Sequence, residues 1–108
     1  MAGIEESLVR EIVRRLVTVI DAERIILFGS AATGQMTRDS DIDVLVVGGT
    51  QSNTLETYGR LHGALRGLGF PFDVFVIPVD RFELTKNTFG GIAYPAHKFG
   101  RVIYEAVA

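Results

Sequence analysis

The 108-residue chain has no cysteine, which removes disulfides, thiolate metal sites and thiol catalysis together. It has no basic excess either: 11 Lys and Arg stand against 13 Asp and Glu, a formal net charge of −2. Nucleic-acid binding normally shows as a Lys/Arg-rich face, so direct contact with nucleic acid is not expected. The local group Arg10, Arg14 and Arg15 falls on one helix and reads as solvated surface. No apolar run approaches membrane-spanning length, so no membrane partner is expected. Glu5 and Glu6 interrupt the start of the chain, which predicts no targeting segment and a cytoplasmic location. The two histidines, His62 and His97, lack metal-ligand spacing. What remains is a globular composition, 47% hydrophobic and 22% charged, at a length that fits one domain spanning residues 1–108.

Between Ile4 and Ile20 the residues Ile4, Leu8, Ile12, Leu16 and Ile20 recur every four positions, the apolar stripe of a helix. "RIILF" (Arg24 to Phe28) predicts a buried strand that stops at Gly29. Ser30 suits a helix N-cap, and "SAATGQM" allows one or two helical turns before Gly34 interrupts. Asp41 to Val47 predicts a second strand, buried on both faces, and Asn53 to Leu68 a second long helix. "FPFDVFVIP" (Phe70 to Pro78) predicts a third strand. Asp80 to Ala96 predicts a loop and a short helix, and "RVIYE" (Arg101 to Glu105) a last short strand. Phe89, Ile92 and Tyr94 form a face that is either core or an interface, including one between copies in a homo-oligomer. Alternating helices and strands predict a small α/β domain, with a mixed sheet of three to five strands covered by helices.

The chemistry-bearing residues sit at strand ends. Residues i and i+2 of a strand share a face, so Asp41 and Asp43 point the same way. At an effective dielectric near 20, two such charges about 5 Å apart repel by roughly 3 kcal/mol, a cost that a divalent hard cation offsets. Asp73, between Phe72 and Val74, completes a three-carboxylate cluster if its strand lies beside that of Asp41. It is otherwise a sheet-edge acid or a partner for an arginine such as Arg101. The Gly29-Ser30 turn offers backbone N–H groups and a hydroxyl to an anion. Gly29 and Gly34 have the spacing of the G-x-x-x-x-G phosphate loop. Gln35 and Met36, however, replace its lysine and hydroxyl residue, which excludes a Walker-type NTPase.

Gly29-Ser30, ten residues, Asp41-Ile42-Asp43 and a later isolated Asp73 together resemble the nucleotidyltransferase superfamily that includes DNA polymerase beta. The short length and the "SDIDVLVV" wording look like its minimal prokaryotic members. The resemblance implies a polymerase beta palm-like fold and assigns Gly29 and Ser30 to the triphosphate. It assigns Asp41, Asp43 and Asp73 to catalysis and to metal, with two Mg²⁺ ions expected beside ATP, and makes Asp73 the base on the attacking hydroxyl. It further implies antitoxin function, with AMP passing from ATP to a tyrosine of a helical HEPN-type toxin. Family members often read "GSRARG" at the turn. Here Ala31 and Thr33 occupy the two arginine positions, a departure that bears on rate or substrate preference. Two alternatives stand beside this one: transfer to a small-molecule acceptor, and a catalytically weak antitoxin that acts by binding alone.

Overall fold

The computed structural model describes residues 4–34, 40–48 and 55–106. Helix α1 (Glu6–Val17) carries Glu6 in its first turn and Arg14 and Arg15 in its last, charges that favour the helix dipole at both ends. Its stripe residues Val9, Ile12 and Leu16 are buried. Strand β1 (Ala22–Phe28) is followed by the single-turn helix α2 (Ser30–Thr33), and β2 (Ile42–Gly48) by α3 (Leu55–Ala64). Then come β3 (Phe72–Ile77), α4 (Val79–Thr85), α5 (Ala93–Phe99) and β4 (Arg101–Glu105).

The strands form one mixed sheet in the order β3-β2-β1-β4. β1 runs antiparallel to both β2 and β4, whereas β2 and β3 are parallel and joined by a crossover through α3. Ile25, Ile26 and Leu27 are all buried, as are Val44, Leu45, Val46 and Val47. Continuous apolar runs of this kind belong to strands covered on both faces. One cluster packs Ile25, Leu27, Ile42, Val44, Val46, Val74 and Val76 with α1 and with Leu61 of α3. On the opposite face, Ile26, Leu45, Val47 and Ile77 pack with Phe82 of α4 and with Ala93 and Ala96 of α5. Phe28, Asp43, Asp73 and Phe75 share that face; Phe28 packs against the layer, whereas Asp73 and Phe75 are exposed among the described residues.

Several boundaries differ from the sequence expectation. β1 begins two residues earlier, at Ala22. Asp41 lies just before β2 rather than within it. The stretch after Asp80 holds two helices rather than one, because Pro78 sits at the N-cap of α4 and Gly100 at the C-cap of α5. The proposed Asn53 start of the third helix lies outside the described residues. The arginine group on α1 is no basic patch: Arg14 and Arg15 both bind Glu11, and Arg15 also donates to the carbonyls of Ala64 and Arg66. The two arginines hold the Glu11 carboxyl down at about 2. Phe89 is 82% exposed and packs its ring on Tyr94, whereas Ile92 is half-buried against the second cluster.

Gly100 carries the sharpest packing constraint outside the site. Its backbone is ordinary extended chain, with φ −80° and ψ 170°, so space rather than conformation demands glycine. A Cβ there would overlap the Ala96 carbonyl and lie 2.5 Å from Ile26 Cγ2 and 2.9 Å from the Leu27 carbonyl. Two of those three atoms are backbone and cannot swing away. Gly100→Ala is therefore expected to destabilise the fold by about 2 kcal/mol. Thermal unfolding should show a fall in Tm of roughly 10 °C for a domain of this size.

Candidate active site

Parallel pairing of β2 with β3 sets the site. It places Asp43 directly opposite Asp73, with Ile42 beside Phe72 and Val44 beside Val74. The Ile42 N–H donates to the Pro71 carbonyl at 2.9 Å, which pins the ends of the two strands together. Asp41, Asp43 and Asp73 thus converge from one end of two neighbouring strands, on the face opposite Ile42. Across β2, Phe28 of β1 pairs with Asp43, so the Gly29-Ser30 turn begins where the carboxylates lie.

The electrostatics show how crowded this corner is. The Asp41 carboxyl is held above the usual aspartate range, first by a hydrogen bond to the Asp73 side chain, then by desolvation and the charge of Asp73. Asp43 is also pushed up, first by burial and then by the charges of Asp73 and Asp41. Among the described residues, no ion pair involves any of the three; Arg101, the alternative partner for Asp73, binds Glu6 instead.

The donor set is all carboxylate oxygen, the chemistry of a hard divalent cation, and its mutual repulsion is what such an ion relieves. Among the described residues, no three Asp, Glu, His or Cys side chains stand close enough to hold an ion as they are arranged here. Asp41 and Asp73 face each other while Asp43 reaches toward Gly29. The residues fit a metal by donor type, and holding one requires the three side chains to draw closer than they stand here.

Gly29 is the second half of the site. Its φ of 69° and ψ of −148° lie in a region that L side chains rarely adopt. A Cβ at this position would collide with Asp43 Oδ2. Glycine is thus required twice, by backbone conformation and by the carboxylate against it. One expectation is corrected: Gly29, not Ser30, is the N-cap residue, and Ser30 is the first helical residue, with no side-chain capping bond. Helix α2 is one turn, ended by Gly34 in the left-handed conformation, so it contributes little dipole. What the turn offers is the N–H groups that a first helical turn leaves without intrahelical partners, together with the Ser30 hydroxyl. At the two arginine positions, Ala31 is buried in the core, and the exposed Thr33 donates its hydroxyl to the Gly29 carbonyl at 3.3 Å. The proposed Gln35 and Met36 departures lie outside the described residues. His62 bonds the Tyr58 carbonyl within α3, and His97 packs edge-on against Phe82, so neither joins the site.

A four-stranded mixed sheet with acids from two parallel neighbours beside a glycine turn agrees with the fold that the resemblance implies. The profile of the nucleotidyltransferase domain family matches residues 6–93, and the chain belongs to that family. A search of curated proteins returned no significant match. Among solved structures, the fold is similar to a mutant of the toxin–antitoxin MntA–HpeT, at TM-score 0.68 and 17% identity, covering 91% of this chain and 73% of that one. It is also similar to a nucleotidyltransferase described from Sulfolobus solfataricus, at TM-score 0.61 and 22% identity, covering 92% and 78%. No described helix is long and apolar enough to cross a membrane.

Proposed function

We propose that this nucleotidyltransferase transfers AMP from ATP to a hydroxyl of a partner protein, with Mg²⁺ held by Asp41, Asp43 and Asp73. The observation that carries the reading is the Asp43–Asp73 pairing beside Gly29. It sets two acids side by side, with Asp41 just before the same strand, where the turn can receive phosphate, and no ion pair among the described residues neutralises them. Bound there, the metal would supply Lewis-acid stabilisation of charge on the entering and leaving oxygens. The chain's own groups divide the remaining work. Gly29 lets the triphosphate approach the backbone, and the Ser30 N–H and hydroxyl donate to its oxygens. Asp73, on the strand farther from that turn, accepts the proton of the acceptor hydroxyl. The bond broken is that between the α-phosphorus and the oxygen bridging to the β-phosphorus, and pyrophosphate leaves.

The acceptor we assign is a tyrosine of a HEPN-type helical toxin. The similarity to the MntA–HpeT toxin–antitoxin fold supports a toxin as partner. The test is transfer of labelled AMP to a co-purified partner in Mg²⁺. Label on a partner tyrosine is the expected result. Full neutralisation of the partner by an Asp73→Asn variant that transfers nothing would show instead that binding alone is the function.

A further inference from the structure

The end of the sheet that carries the carboxylates also carries two aromatic rings, which metal and phosphate chemistry leave unused. Phe28 and Phe75 lie on the strands that flank β2, and their ring centroids are 5.9 Å apart at an interplanar angle of 49°. By register, Phe28 pairs with Asp43 and lies level with the acids, while Phe75 pairs with Leu45 one two-residue step inward, and the rings meet over β2. Phe28 packs on the second core cluster; Phe75 belongs to neither cluster and is 37% exposed. The neighbouring Ile77, two residues on, is buried. The cover that α4 and α5 provide therefore stops just short of Phe75. An exposed phenylalanine here costs solvation that a polar residue at an open strand edge would avoid.

We propose that the Phe28–Phe75 pair is the nucleobase platform of the site, with the base of the bound nucleotide stacking on the exposed Phe75 ring. The inference rests on the nucleotidyltransferase reading and adds to it the surface that receives the nucleoside. Asp73 and Phe75 share a face and are one two-residue strand step apart, roughly 7 Å. A ribose spans about that step between an α-phosphate at the acids and a base over the ring. Stacking reads the flat face of a base and not its edge, so the platform favours larger ring systems without a hydrogen-bond code.

The chain contains no tryptophan, so Phe75→Trp introduces a single fluorescent reporter at the platform. Titration with Mg²⁺ and ATP should quench it, whereas Mg²⁺ and inorganic tripolyphosphate should bind with little quenching. In parallel, Phe75→Ala should weaken ATP binding by about tenfold, the lower part of the range for base–aromatic stacking, and leave tripolyphosphate binding unchanged. Equal quenching by both ligands overturns the platform. So does Phe75→Ala binding ATP as the native chain does, even if transfer slows, because the ring would then serve the acceptor. Failure of the native chain to bind either ligand overturns the nucleotidyltransferase reading itself, a separate result from loss of the ATP preference alone.

Discussion

Asp43→Asn is expected to cut nucleotidyl transfer on the order of 1,000-fold while leaving the fold as stable as before, or more so, at pH 7. The sign follows from the direction of the pKa shifts. Asp43 and Asp41 both titrate above the usual aspartate range in the folded chain, because burial and neighbouring acids disfavour their charged forms. A carboxyl raised on folding contributes stability that is fully present below its unfolded pKa and is lost as pH rises through its folded pKa. At neutral pH the native site therefore carries a repulsion that the amide lacks. Melting curves should place Asp43→Asn above the native chain at pH 7, with the gap shrinking as pH falls through the raised folded pKa and closed below about pH 4, where the Asp43 carboxyl is neutral in both states. Glu11 runs the other way: its lowered carboxyl supports the fold at neutral pH, and that support fades as pH falls toward about 2. Mg²⁺ with ATP should reverse the order, because a ligand that binds only the folded native chain at 100 times its Kd adds about 2.7 kcal/mol. For a domain of this size that is roughly 10 °C or more in Tm. A variant that melts lower than the native chain without metal would show that the acids are held by an unseen favourable contact, and the metal argument would fail.

Much of the geometry of this candidate site is legible in the sequence. Alternation along the strand puts Asp41 and Asp43 on one side, and a carboxylate between Phe72 and Val74 needs an unusual neighbour. Both are local inferences, drawn from period-two geometry and the cost of a charge among apolar groups. The parallel pairing that sets Asp43 against Asp73 was a condition rather than a deduction, because register between strands 30 residues apart depends on α3 and on packing across the whole sheet. Periodicity marks α1 for the same local reason. It missed the second helix of the 79–99 stretch, where seven-residue segments are too short to show a period and Pro95 lies inside one of them. Ser30 was misplaced because its residue type suits an N-cap, whereas the position belongs to Gly29, whose φ only glycine adopts readily. The Phe28–Phe75 pair had no sequence signal: two phenylalanines 47 positions apart become neighbours only once β1 and β3 flank β2.

The second large effect is expected at Gly29, where two separable terms meet. Gly29→Ala forces an L residue to φ 69° and ψ −148°, at a backbone cost of about 1–3 kcal/mol. The new Cβ also collides with Asp43 Oδ2, with the Asp43 Cγ 3.4 Å and Cβ 3.7 Å away. Truncation to Asp43→Ala removes the carboxyl and leaves only the Cβ, at an ordinary contact distance. The double variant should therefore be less destabilised than the sum of the two singles, and the shortfall measures the overlap free of the backbone term. In the transfer assay Gly29→Ala alone should lose about 100-fold, because the side chain evicts the carboxylate from its place and blocks approach of phosphate to the backbone. Asp43→Ala is itself expected to transfer little, so the stability cycle, read by denaturant or heat, carries the decision. Strict additivity would mean that Asp43 does not rest against the turn, and the acids and the phosphate-receiving loop would then be two neighbouring features rather than one site.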